Sequence, residues 1–174
     1  ELDGEIISGD SRQLYRGMDI GTGKDLHEYT YQGRAIPYHL IDIVDPGYQY
    51  NIFQYQRDFH IAFEDIVARG KQPILCGGSG LYIEAATLGY QLQEVKPDYK
   101  LREQLQKESD EKLIEMLKER GALHNTTDTK SRKRLIRAVE IALKSDGTTQ
   151  TYPPIETKFI GISVTREERN ARIE

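Results

Sequence analysis

The sequence predicts an α/β domain with a parallel sheet, interrupted by a small helical insertion. Short apolar runs alternate with longer amphipathic stretches, and the runs end in Gly- or Pro-containing turns. After Gly89 the strands give way to Lys/Glu/Leu-rich segments with helical spacing. A length of 174 residues suits one domain with an insertion, and such a chain buries roughly 70% of its unfolded surface without disulfides.

Glu5-Ile6-Ile7-Ser8 reads as a short buried strand that stops at Gly9-Asp10. Tyr38 to Val44 is a second, closed by Asp45-Pro46-Gly47, and Gln72 to Cys76 a third, ending at Gly77-Gly78. Lys158 to Val164 is a fourth. These runs are continuous rather than alternating, as in a parallel sheet covered on both faces. Between the second and third, Ile52, Tyr55, Phe59, Phe63 and Ile66 recur at helical steps. Asn51 caps that helix with Gln54 at capping-box spacing, and Gly70 stops it. The resulting βαβ unit implies a right-handed crossover. Another helix begins at Leu81, behind the Gly77–Gly80 turn, with Ser79 at its N-cap position.

Two helices follow within 97–120, the second capped by Ser109 and ended by Gly121. A third covers about 130–145 with Leu135, Val139 and Ala142 on one face, and 146–157 is a polar loop. The expected organisation is 1–92 for the first part of the core, 93–137 for the insertion and 138–174 for the return to the core. The chain opens without Met, and Arg172-Ile173-Glu174 falls inside a helical pattern, so it is expected to be part of a longer protein.

Composition excludes several functions. One Cys, Cys76, cannot form an internal bridge, which points to a reducing compartment such as the cytoplasm. No run approaches the ~18 apolar residues of a membrane span, and no signal peptide is recognisable. The net charge of −4 rules out a uniformly basic nucleic-acid binder. The four His (27, 39, 60 and 124) have no metal-binding spacing.

Four features could carry chemistry. Ser8-Gly9-Asp10-Ser11-Arg12-Gln13 follows a strand, at the end of a parallel strand where α/β folds bind ligands. Asp10 is either a general base there or a turn cap. Gly17-Met18-Asp19-Ile20-Gly21-Thr22-Gly23-Lys24 is not a Walker A loop, because Gly17 and Gly23 are six apart and Asp25 follows Lys24. It is a binding loop or a plain connection. Cys76-Gly77-Gly78-Ser79-Gly80 brings backbone close to a ligand at a helix N-terminus, and Ser79 adds a hydroxyl that can serve as ligand contact or cap. Lys130-Ser131-Arg132-Lys133-Arg134-Leu135-Ile136-Arg137 holds five cations in eight residues, which suits an RNA backbone or a solvated helix face.

Taken together, these blocks resemble the tRNA dimethylallyltransferases, also called tRNA isopentenyltransferases. The match is carried by Ile7 to Lys24, by His39-Leu40-Ile41-Asp42-Ile43 with Asp45-Pro46, by Pro73 to Tyr82 and by Lys133 to Glu140, all in family order. The resemblance implies a P-loop NTPase-like three-layer α/β/α core with a parallel sheet and a small helical insertion. It implies transfer of a dimethylallyl group from dimethylallyl diphosphate to N6 of an adenosine beside the tRNA anticodon. Asp10 would be the general base, and Ser79, where the family usually has Thr, a hydroxyl partner. Asp10, Ser11, Arg12, Gln13 and Ser79 would line the tRNA near the base. Lys100, Lys133, Arg134, Leu135, Ile136 and Arg137 would contact it from the insertion.

The target base would leave its stack to reach Asp10. The leaving diphosphate would be held by N–H donors, cations and Mg²⁺. The protein is expected to be a monomer that touches no membrane. Gly23 stands where the family has Ala, and the sequence contains neither the family's P-loop nor its C-terminal diphosphate-binding Arg. Diphosphate and metal ligands are therefore not assignable. These residues alone are expected to be inactive and a longer parent active. A nucleotide-kinase-like phosphotransferase and a non-catalytic RNA-binding fragment are the alternatives.

Overall fold

The computed structural model describes residues 3–121, 129, 131–145 and 151–171, except for the Arg169 side chain. In chain order the elements are β1 (Gly4–Ser8), a hairpin of β2 (Thr30–Tyr31) and β3 (Arg34–Ala35), and β4 (Tyr38–His39). Then come α1 (Ile52–Ala68), β5 (Gln72–Cys76), α2 (Gly80–Thr87) and α3 (Tyr99–Leu105). The chain continues through α4 (Asp110–Glu119), α5 (Arg132–Lys144) and α6 (Arg166–Ala171).

β1 is central in a three-stranded parallel sheet of order β4-β1-β5. Ile7 faces Leu75 across the pair, and both join the core cluster formed with Leu14, Leu40, Tyr55, Phe59 and Ile66. α1 supplies Tyr55, Phe59 and Ile66, as the helical spacing predicts. Its capping box is made: Asn51 Oδ1 accepts from the Gln54 amide at 3.0 Å and Gln54 Oε1 from the Asn51 amide at 3.2 Å. Gly70 follows with φ 69°, a conformation that costs Gly least. Along β5 burial alternates, so Gln72, Ile74 and Cys76 form an open face among the described residues.

Buried polar groups complete the core. Gln56 Nε2 donates to the Ala85 and Tyr90 carbonyls, both at 2.8 Å, and ties α1 to the end of α2. The Glu5 carboxylate is buried against Arg69 and His39 and joins β1, β4 and the end of α1. Arg69 above all holds it down to about 2, against the upward pull of burial. His60 is packed rather than exposed, stacked on Tyr152 with ring centroids 3.8 Å apart. Its Nε2 is buried with no hydrogen-bond partner among the described residues, and burial lowers its pKa.

Two expected strands differ. The Tyr38–Val44 run is a strand only over Tyr38–His39. Leu40 and Asp42 take φ values of 61° and 55°, which break the extended backbone. The chain turns to lie beside Gln13–Arg16, where the Asp42 amide donates to the Gln13 carbonyl and those of Ile43 and Val44 to that of Leu14. Lys158–Val164 is not a strand: no described strand pairs with it, and Phe159, Ile160 and Ile162 are 68%, 84% and 91% exposed. Apolar, β-branched residues favour a pleated surface, but a ladder exists only beside a partner strand.

α3, α4 and α5 share a second hydrophobic cluster built on Leu105, Leu113, Leu117, Leu135, Ile136 and Val139. Ser109 caps α4, accepting from the Lys112 amide at 3.3 Å. α5 runs through position 137, so the expected boundary at 137/138 falls inside one helix. Lys130, His124 and the 146–150 part of the polar loop lie outside the described residues.

Candidate active-site loops and basic helix

β1 and β5 are parallel neighbours, so Ser8 and Cys76 bring their following loops out side by side. The loops are laced together through the backbone. Gly9 N donates to the Cys76 carbonyl at 2.7 Å, and Ser79 N to the Gly9 carbonyl at 3.1 Å. Only Gly fits at position 77, where a Cβ would lie 2.3 Å from the Gly9 carbonyl carbon. The Ser79 side chain does not cap α2. Its Oγ accepts from the Ser11 amide at 3.0 Å and donates to Ser11 Oγ at 3.2 Å. Ser79 and Ser11 thus meet across the two loops.

Asp10 sits in a turn of its own. Its Oδ1 accepts from the Arg12 amide at 2.8 Å, and its own amide donates to Ser8 Oγ at 3.2 Å. The turn-cap reading of Asp10 is therefore realised. It leaves Oδ2 without a hydrogen bond among the described residues, so capping and base chemistry are compatible. The loop's base is rigid: Tyr55 Oη donates to the Ser8 carbonyl at 3.1 Å, and its ring stacks on Tyr82 at 4.0 Å. Burial pushes both phenols up, Tyr82 to about 12.

Gln13 is a clasp. Ser8 Oγ donates to its Oε1 at 2.7 Å, and its Nε2 donates to the Gly23 carbonyl at 2.9 Å. Lys24, read in the sequence as part of a failed phosphate loop, is 2% exposed. Its ammonium donates to the Tyr15 carbonyl at 2.6 Å, to Asp19 at 2.9 Å and to Asp42. Burial alone would lower its pKa, but Asp42 and Asp19 more than offset that and hold it up. The Gly17–Lys24 segment is therefore a pinned loop. The sequence carries no local sign of this, because the clasping residues lie up to 18 positions apart.

The basic segment divides by role. Arg132 Nη2 reaches the Leu105 and Gln106 carbonyls at 3.2 and 3.0 Å and the Glu108 carbonyl, while Nη1 pairs with Asp110. Arg137 pairs with buried Glu140 and donates to the Val95 carbonyl at 2.7 Å. Leu135 and Ile136 are 1% and 5% exposed and lie in the helical core, so their side chains offer no surface to a partner. That leaves Lys133 and Arg134, exposed and without ion pairs among the described residues, in the first turn of α5. Lys100 is exposed on α3. No group of three His, Cys, Asp or Glu able to hold a metal converges among the described residues.

The family model for IPP transferase matches residues 13–174. The tRNA dimethylallyltransferase 2 of Bacteroides fragilis is 51% identical over 99% of this chain and 58% of its own length. That of Porphyromonas gingivalis is 53% identical, with the same two shares. Among solved structures, the tRNA delta(2)-isopentenylpyrophosphate transferase of Staphylococcus epidermidis aligns at TM-score 0.55 and 31% identity, over 99% of this chain and 59% of that one. A eukaryotic dimethylallyltransferase acting on tRNA aligns at TM-score 0.64 over 88% of this chain and 40% of that one; at 23% identity it shows the fold alone. The chain thus spans about 58% of the length of these curated relatives. A small parallel sheet of P-loop NTPase type, with the Asp10 loop at its carboxyl edge and the basic helix beyond, agrees with these matches: the chain belongs to the IPP transferase family.

Proposed function

We propose that the protein carrying this chain transfers a dimethylallyl group from dimethylallyl diphosphate to N6 of an adenosine beside the tRNA anticodon. The observation that carries the reading is Asp10, at the carboxyl end of the central strand, with one oxygen fixed by the Arg12 amide and the other unengaged among the described residues. In the reaction the N6 lone pair forms a bond to the allylic carbon. The carbon–oxygen bond to diphosphate breaks, and diphosphate leaves with the electron pair. The N6 proton passes to the free oxygen of Asp10, which makes a poor amine nucleophile competent.

Ser79 donates to Ser11 Oγ, which frees the Ser11 hydroxyl proton for a substrate acceptor. Gln13 acts by holding the loop through Ser8 and Gly23.

Lys133, Arg134 and Lys100 would meet the RNA backbone. Cations in the first turn of a helix oppose its macrodipole by ~0.3–1 kcal/mol each. Lys133 and Arg134 stand where the helix dipole disfavours cations, and their placement supports an anionic partner.

The test is single-turnover transfer of labelled dimethylallyl to tRNA by the full-length protein. Asp10→Asn keeps the turn and removes the base. The expected result is a fall in the chemical step of about 10²-fold or more, with tRNA affinity unchanged. Full activity in that variant would remove Asp10 from the mechanism.

A further inference from the structure

Ser8 ends the central strand and is 1% exposed. A hydroxyl buried there costs free energy unless it is hydrogen-bonded, and a small apolar side chain would serve the sheet as well. Both bonds of this hydroxyl run forward into the Asp10 turn rather than into the core. Its Oγ donates to Gln13 Oε1 at 2.7 Å and accepts from the Asp10 amide at 3.2 Å. The direction of the proton is determined. Gln13 Nε2 donates to the Gly23 carbonyl at 2.9 Å, so the end of the amide that faces Ser8 is Oε1, which only accepts. Ser8 therefore gives its one proton to Gln13 and turns a lone pair to the Asp10 amide. Its backbone is held too, paired with Cys76 in the sheet and accepting from Tyr55 Oη at 3.1 Å.

Asp10 has few other restraints. Its neighbours are tied to the second loop, Gly9 through the Cys76 and Ser79 backbone and Ser11 through Ser79 Oγ. Asp10 itself is half-buried and makes two hydrogen bonds among the described residues. The one from the Arg12 amide to Oδ1 lies inside the turn and sets the carboxylate relative to it. The one from its own amide to Ser8 Oγ sets the Asp10 peptide relative to β1. Only this second bond ties Asp10 to the sheet.

We infer that Ser8 is a positioning residue: its hydroxyl fixes the Asp10 peptide to the central strand and so aims the free Asp10 oxygen at the reacting amine. The inference rests on the reading of Asp10 as the base. Ser8 offers no surface to substrate and acts through Asp10 alone. Without the hydroxyl the Asp10 amide turns to water and carries the carboxylate with it, and a misplacement of about 1 Å costs ~10²-fold in rate.

The test measures single-turnover transfer to tRNA by the full-length wild type, Ser8→Ala, Asp10→Asn and the double variant, with tRNA Kd and melting temperature alongside. Ser8→Ala is expected to slow transfer about 10-fold or more with Kd unchanged. In the Asp10→Asn background, where there is no base to aim, the same substitution is expected to change the rate by less than about 2-fold. A merely structural hydroxyl would slow both backgrounds equally. Equal slowing, a Ser8→Ala rate equal to wild type, a loss that appears in Kd instead, or a Ser8→Ala protein that does not fold overturns the positioning role and leaves the Asp10 base standing. An Asp10→Asn protein as fast as wild type removes the base itself, and Ser8 then has nothing to position.

Discussion

Replacing Glu140 by Gln tests how the helical segment is held together. Glu140 has no exposed surface, yet its carboxylate accepts from the Asp98 amide at 2.6 Å, from Arg102 Nε and Nη2 at 3.0 and 2.8 Å, and from Arg137. Burial pushes its pKa up, but Arg102, the Asp98 amide and Arg137 more than reverse this and take it from 4.5 to about 2. A shift from 4.5 to about 2 corresponds to about 3 kcal/mol favouring the charged form. Breaking a buried ion pair by removing one partner costs ~3–5 kcal/mol. Both arginines are about a third exposed, so water relieves them and the lower figure applies.

Glu140→Gln is therefore expected to destabilise α3–α5 by about 3 kcal/mol at neutral pH, read by hydrogen exchange of the Leu105, Leu113 and Val139 amides. The folded pKa lies below the unfolded one. The contribution is thus complete above pH 4.5 and is lost as pH falls through about 2. The deficit of the variant should shrink over that window. A variant within about 0.5 kcal/mol of wild type, or a deficit independent of pH, would refute the account. Lys133, Arg134 and Lys100 ride on the same helices, so tRNA affinity should fall together with the exchange protection.

Other expectations follow from the loop geometry. Gly77→Ala drives a Cβ into the Gly9 backbone, and such overpacking costs ~1–3 kcal/mol; because it separates the Asp10 and Ser79 loops, transferase turnover should drop more than the melting temperature suggests. Normal turnover in a folded variant would mean the two loops need not touch. Lys24→Met leaves Asp42 without its buried counter-ion and is expected to cost ~3 kcal/mol, or about 6–12 °C in melting temperature for a domain of this size. A calorimetric midpoint equal to wild type would show that the Gly17–Lys24 loop is held by something else.

Much of the fold was legible because its signals are local. The Asn51–Gln54 capping box, the Gly70 stop and the Tyr55–Phe59–Ile66 face operate within a few residues of one another, and each appears as expected. The strands Gly4–Ser8 and Gln72–Cys76 were visible as apolar runs between turns. Lys158–Val164 carries the same composition without being a strand, since pairing depends on a neighbour that composition does not report. The basic segment shows the same limit. Five cations in a row of eight look alike in sequence. The partners of Arg132 and Arg137, namely Asp110, the carbonyls after α3, Val95 and Glu140, come from up to 42 positions away.

For the candidate site, the sequence by itself determined which chemical groups stand at the strand ends: the Asp10 carboxylate, the Ser11 and Ser79 hydroxyls and the glycines between them. It also determined the family, because those groups recur in a fixed order. Only the tertiary structure decided their use. It joined Ser79 to Ser11, turned Gln13 and Lys24 into anchors, withdrew Arg132 and Arg137 into structural pairs, and left Asp10, Arg12, Lys133 and Arg134 with unengaged polar atoms among the described residues. The physical reason is that a hydrogen bond or ion pair is fixed by distance in space, and residue type states only what a side chain is able to bind.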